Sequence, residues 1–176
     1  MSQTREDKAD ALLNEIRQSS RGTLTVFLGA APGVGKTYAM LAAAAEKRRS
    51  GIDTLIGLIE THGRKETDEM VDGFDLLPRK TIEYQGTILT EFDVDAAIAR
   101  HPALILVDEL AHTNIPGSRN KRRFQDVEEL LNAGIDVYTT VNIQHLVGLD
   151  DKVKQITGVR VSETLPDHVL DKADII

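Results

Sequence analysis

The stretch that most restricts this chain runs from Thr23 to Arg49. A β-branched and aromatic run of strand length, Thr23–Leu28, leads into Gly29-Ala30-Ala31-Pro32-Gly33-Val34-Gly35-Lys36-Thr37, and an Ala-, Met-, Leu- and Glu-rich segment follows from Lys36 to Arg49. A strand, a Gly-rich turn and a helix beginning in Gly-Lys-Thr is the arrangement of a phosphate-binding loop. Ala30 stands where the strict pattern has its first Gly, so that form is missed by one methyl group. The parts that meet phosphate are kept. Gly33 and Gly35 let backbone N–H groups approach an anion closely. Lys36 reaches the β- and γ-phosphates as a mobile charge, the Thr37 hydroxyl ligates Mg²⁺, and the helix start adds its positive dipole end.

The rest of the chain repeats the alternation. Thr54–Glu60 reads as a strand apolar nearly throughout, which suggests burial on both faces. Glu66–Phe74 reads as a helix, Thr81–Tyr84 as a short strand, and Asp93–Arg100 as a helix capped near Glu91–Asp93. Ala103–Val107 is a further apolar strand. Gln125–Ala133 carries Val127, Leu130 and Leu131 on one helical face, Gly134 closes it, and Ile135–Val141 returns as a strand; Leu146–Ile156 is a helix candidate. The pattern predicts an α/β fold of the P-loop NTPase type, a mostly parallel sheet with helices on both faces. Ligands of such sheets bind beyond the carboxyl ends of the strands, so the loops after residues 28, 60, 107 and 141 are expected on one rim. Residues 1–21 form a polar N-terminal segment in which Leu12, Leu13 and Ile16 allow a short amphipathic helix, and residues 22–176 are expected to be the nucleotide-binding domain.

Leu104-Ile105-Leu106-Val107-Asp108-Glu109 is an apolar strand ending in acids, the Walker B pattern, in which Asp108 holds the Mg²⁺ hydration shell. Read alone, Asp108 could equally cap the next turn. Glu109 occupies the place of a residue that polarises an attacking water, or is a solvated rim carboxylate. Glu60 to Lys65 mixes acid, imidazole and guanidinium after a strand, suiting a γ-phosphate contact or simply a polar loop. Thr139, Thr140, Asn142 and Gln144 end a strand expected beside the phosphate-loop strand. His145 reads as a hydrogen-bonding loop residue, because no second ligand stands at metal spacing. The candidate nucleotide contacts are thus Ala31, Pro32, Gly33, Val34, Gly35, Lys36, Thr37, Tyr38, Glu60, Arg64, Asn142 and Gln144, with Thr37 and Asp108 for Mg²⁺ and Glu109 as catalytic candidate. Arg119, Lys121, Arg122 and Arg123 form a basic cluster read as a solvated helix start, a docking patch or an arginine finger.

Composition narrows the alternatives. The 176 residues suffice for one core, and the absence of cysteine excludes disulfides, zinc-thiolate sites and thiol nucleophiles. A net charge of -7 speaks against nucleic acid as partner. No apolar run approaches the ~20 residues of a membrane helix, and the polar N-terminus carries no signal-peptide core, so membrane insertion of these residues is not expected.

Several segments together resemble one family. Gly33-Val34-Gly35-Lys36-Thr37, Glu60-Thr61-His62-Gly63-Arg64, Val107 to Asn114, Pro116-Gly117-Ser118-Arg119 and Thr139 to Leu146 are similar, in order and spacing, to the N-terminal domain of the KdpD potassium-sensor histidine kinases. The resemblance implies an ATP-binding regulatory domain on the cytoplasmic face of an inner-membrane sensor of a two-component system. Its partners would be a stress-protein-like domain, membrane spans and a kinase core, with a cognate response regulator beyond. No phosphoacceptor-His box or kinase glycine boxes occur, so these residues are not expected to be a histidine kinase by themselves, and their end at Ala173–Ile176 resembles a fragment boundary before a further strand. The competing reading is a free-standing P-loop ATPase or small-molecule kinase using Asp108 and Glu109.

Overall fold

The computed structural model describes residues 3–146 and 163–175. Its centre is a five-stranded parallel sheet in the order β1-β7-β6-β2-β3, made of β1 (Leu24–Gly29), β7 (Asp136–Asn142), β6 (Leu104–Val107), β2 (Thr54–Leu58) and β3 (Asp75–Leu76). Around it lie α1 (Gln3–Ser20), α2 (Lys36–Arg49), α3 (Lys65–Val71), α4 (Val94–Arg100), α5 (Arg123–Asn132) and α6 (Asp167–Asp171). A separate antiparallel hairpin pairs β4 (Lys80–Tyr84) with β5 (Thr87–Glu91).

The strand β6 explains the layering. All four of its residues are buried. Leu104 and Leu106 face one side, packing with Met40, Leu41 and Ala44 of α2, whereas Ile105 and Val107 face the other, with Val127, Leu130 and Leu131 of α5 and Ala97 of α4. Alternate side chains of a strand point to opposite faces, so a strand covered on both sides reads as an unbroken apolar run. The strand β2 breaks this alternation once. Its register against β6 shifts between Ile56 and Leu58, and the bulge turns Leu58 to the same core as Leu55.

The expected α/β architecture is therefore present, including β7 as the neighbour of the phosphate-loop strand along its whole length, Leu24 opposite Val137 to Gly29 opposite Asn142. Four local expectations need correction. The strand expected to run to Glu60 ends at Leu58, where the chain leaves the sheet toward the rim. The helix expected over Glu66–Phe74 stops at Val71, because the Asp72–Gly73 turn redirects the chain and sends the Phe74 ring into the core under the Arg48 guanidinium. Thr81–Tyr84 is half of a hairpin rather than part of the main sheet; the turn Gln85–Gly86, with both residues at positive φ, folds it back onto Thr87–Glu91. The N-terminal helix is longer than the short one expected, and its Leu12, Leu13 and Ile16 are all exposed. Asp93 does cap α4, accepting from the Ala96 N–H at 3.0 Å. Of the helix expected at Leu146–Ile156, only Leu146 lies among the described residues.

Beyond the outer side of β1, Ile175 forms a parallel bridge with Thr25, and its carbonyl accepts from the Val26 N–H at 2.9 Å. No helix among the described residues is long and apolar enough to cross a membrane. Between α1 and β1, Gly22 donates to the Leu131 carbonyl at 2.8 Å, and a Cβ there would stand 2.0 Å from the Ile135 carbonyl oxygen. Backbone cannot yield as a flexible side chain would. Gly22→Ala should therefore lower the urea midpoint by an amount equivalent to about 2 kcal/mol or more, whereas Leu12→Ala on the exposed helix should change it by about 0.5 kcal/mol or less.

Candidate functional site

The carboxyl ends of β1, β2, β6 and β7 open onto a cleft of about 300 Å³, the rim expected from the alternation. The loop after β1 enters it through Gly33 and Gly35, with φ of 85° and 91°, values that favour glycine. Gly35 is the residue immediately before α2 and Lys36 its first turn. The Lys36 ammonium donates to the Ala31 carbonyl at 2.9 Å, so it lies folded over its own loop. Partial burial lowers the Lys36 pKa from its ordinary value, aided by the Arg64 charge and opposed by Asp108 and Glu109.

The Asp108 carboxylate, at the end of β6, is buried at the meeting point of the four loops. Thr37 Oγ1 donates to its Oδ2 at 3.1 Å and the Glu60 N–H donates to the same oxygen at 3.1 Å. The Thr140 hydroxyl and the Glu109 N–H both hydrogen-bond Oδ1. Glu109 itself adopts φ 57°, a left-handed conformation that is costly for a residue with a Cβ. Its N–H also reaches Thr140 Oγ1 at 3.0 Å, and its carboxylate meets His62 Nε2 at 3.3 Å.

Of the residues singled out from sequence, Pro32, Gly33, Gly35, Lys36, Thr37, Arg64, Asp108, Glu109, Asn142 and Gln144 line this cleft. The others do not. Ala31 contributes its carbonyl to Lys36 behind the loop, and Val34 faces an outer groove beside Leu28. Tyr38 is exposed on the first turn of α2. Glu60 turns its carboxylate to Arg79 at 3.1 Å, so only its N–H serves the site. The Arg64 guanidinium hangs over the loop, 2.9 Å from where a Cβ on Gly33 would be. The Asn142 Oδ1 is buried and has no hydrogen-bond partner among the described residues. His145 forms part of the wall, and burial lowers its pKa.

The basic cluster divides: Lys121 is exposed, while the three arginines are engaged in different surroundings. Arg119 bridges Asp95 and Glu129 at 2.8 Å each, and Arg122 donates to the Ala111 and Thr164 carbonyls. Arg123 is buried, donating to Glu91 Oε1 at 2.7 Å and to the Asp108 carbonyl at 3.0 Å. Glu91 and His112 were not singled out as site residues, nor was Glu163. Glu91 ends a strand that the apolar pattern does not disclose, and His112 stands four residues after Asp108.

The family is decided by residues 20–176, which match the sensor domain described as that of the osmosensitive K⁺ channel His kinase KdpD. The chain belongs to the KdpD sensor-domain family. It is 56% identical over 165 residues to a sensor protein KdpD of Escherichia coli, 94% of this chain and 18% of that protein. It is 54% identical over 167 residues to one from Clostridium acetobutylicum, 93% of this chain and 19% of that protein, and 52% identical over 156 residues to one from Mycobacterium tuberculosis H37Rv, 89% of this chain and 18% of that protein. The chain thus spans about a fifth of the length of these relatives.

Burial pushes the Glu91 carboxyl upward, but hydrogen bonds from His112, the Phe92 N–H and Arg123 outweigh it and hold the pKa at about 2, against 4.5 ordinarily. A carboxylate so depressed stabilises the fold fully at neutral pH, and the contribution fades as pH falls from 4.5 through about 2. Its size is on the order of 3 kcal/mol. Urea midpoints followed against pH should drop through that window in the wild type, and the gap to Glu91→Gln should narrow toward its acid end.

Proposed function

We propose that this domain binds Mg²⁺-ATP and serves as the regulatory input of a potassium-responsive two-component sensor kinase. One observation carries the reading: Lys36 and Thr37 at the start of α2 and Asp108 after β6 meet in one cleft around a glycine loop at a helix start. The residues present fit the ligand. Thr37 and Asp108 offer the hard oxygen donors that Mg²⁺ takes. The Lys36 ammonium, which among the described residues donates to a backbone carbonyl, is available to an anion that displaces it. The unpartnered Asn142 Oδ1 faces a cleft in which a water or the Mg²⁺ hydration shell would complete it. When bound, Mg²⁺ neutralises phosphate charge. Lys36 and the loop N–H groups would hold the phosphates, Asp108 and Thr37 would hold the cation, and Arg64, which lies over the loop, would supply a further positive charge to them.

Within a longer sensor kinase, occupancy of this cleft would bias the balance of kinase and phosphatase activity of a core elsewhere in the chain. The stress-protein-like domain, membrane spans and kinase core would be its partners, the response regulator its indirect one. On this reading the domain would lie at the cytoplasmic face of the inner membrane. The alternative, an autonomous ATPase or small-molecule kinase, is disfavoured by Glu109: its carboxylate is engaged by His62 instead of standing free to activate a nucleophile.

Calorimetric titration tests the site. Lys36→Ala should weaken Mg²⁺-ATP affinity at least about tenfold, since a charge-assisted phosphate contact is worth about 1.5–3 kcal/mol. Unchanged affinity would overturn the site assignment. Steady-state phosphate release separates the two readings: turnover well below the ~1 s⁻¹ at the low end for enzymes supports the regulatory one, and faster turnover abolished in Glu109→Gln supports the other.

A further inference from the structure

The turn that follows β6 is held from behind by a buried charge pair that no phosphate-loop argument requires. Side-chain exposure is 3% for Arg123 and 4% for Glu91. Every other Lys or Arg ion pair among the described residues has at least one partner more than a quarter exposed. Arg123 Nη2 donates to Glu91 Oε1 at 2.7 Å, while Nη1 donates to two successive carbonyls, Asp108 at 3.0 Å and Glu109 at 3.4 Å. The Glu91 carboxylate also receives the Phe92 N–H at 2.9 Å, the Ile115 N–H at 3.2 Å and His112 Nε2 at 3.0 Å.

These contacts converge on a conformation that needs support. Glu109 at φ 57° pays a backbone cost that persists only where the surroundings fix it. On the cleft side it is fixed by Asp108 Oδ1 and Thr140 Oγ1 through its N–H. On the inner side Arg123 grips its carbonyl and that of Asp108, and the His112 N–H donates to the Glu109 carbonyl as well, at 3.1 Å. A guanidinium suits this task because its planar fork reaches a carboxylate and two carbonyls at once, which an ammonium cannot do with the same geometry.

We infer that Glu91 and Arg123 are positioning residues that hold the Asp108–Glu109 turn in the conformation aiming Asp108 at Thr37, and that they join the β4–β5 hairpin to the cleft. Glu91 is the last residue of β5, and the hairpin's other strand positions are largely exposed, with Ile88 72% exposed. A displacement of the hairpin's inner end therefore frees Arg123, and a freed Arg123 releases the turn. The role in cation placement rests on the Mg²⁺-nucleotide reading; the grip on the turn does not.

The test uses the full chain and two readouts. Hydrogen exchange of the amides of residues 109–112, without nucleotide, reads the grip alone. Titration with ATP, with and without Mg²⁺, reads cation placement. Arg123→Lys and Glu91→Gln should speed exchange in the turn about tenfold or more, while circular dichroism stays that of the wild type. They should reduce the Mg²⁺-dependent part of ATP affinity about ten- to a hundredfold, the range for residues that orient metal ligands, and leave Mg²⁺-free binding nearly unchanged. Arg100→Gln, at the exposed pair with Asp53, is the control and should alter neither. Should Glu91→Gln fail to fold, Arg123→Lys, which keeps the buried charge pair, carries the same readouts. Wild-type protection of the turn in a folded Arg123→Lys overturns the proposal. If neither wild type nor variants bind ATP, the nucleotide reading fails and the exchange data still decide the grip.

Discussion

A buried carboxylate with a full set of donors organises this molecule. Asp108 is 1% exposed, and removing such a charge from water is tolerable only where hydrogen bonds replace the lost hydration. Its donors arrive from four places: the start of α2, the chain leaving β2, the next residue along, and the interior of β7. Bringing them together requires β7 to lie between β1 and β6, and it requires β2 on the far side of β6, which is the strand order observed. The parallel sheet can thus be understood as the scaffold that delivers Thr37, Glu60 N–H and Thr140 to one oxygen pair.

Much of this was legible in the chain because two signals agreed at each strand. Ile105 and its neighbours form an unbroken apolar run, and the run ends in an acid, so burial on both faces and a rim position follow from the same six residues. The glycine loop is equally explicit. The β4–β5 hairpin was not, since its residues are mostly exposed and a strand with little buried area leaves no strong alternation to read. Glu60 illustrates a different limit. Its place at the rim was evident, yet which of its groups faces the cleft depends on Arg79, nineteen positions away, with which its carboxylate pairs.

The arginines show why a charge cluster is a poor guide on its own. Arg119, Arg122 and Arg123 are neighbours in sequence but end in three environments: a surface bridge between two acids, a clamp on backbone carbonyls, and a buried pair. Only the third bears on the chemistry of the cleft. Nothing in the local sequence separates them, because the decisive partner, Glu91, is contributed by a strand the apolar pattern leaves silent. Burying an ion pair commonly gains little stability over an apolar pair of the same shape, so what it provides here is better sought in geometry than in folding energy.

That geometry bears on sensing. The two oxygens of Asp108 are shared among four elements of the protein, so on the proposed reading a cation drawing on Asp108 would compete with Thr37, Thr140 and the Glu60 and Glu109 N–H groups. Any shift in that competition is felt at once by the segment after β2, through Glu60, and by β7, through Thr140. Packed cores and strained turns answer such shifts by changing between discrete arrangements, since they cannot deform smoothly. Glu109, held left-handed by donors on one side and Arg123 on the other, is the residue with the most to release. If the cleft takes a cation and a terminal phosphate as proposed, a site built in this way would convert their presence into a displacement of backbone, which a regulatory domain needs and a rapid hydrolase does not.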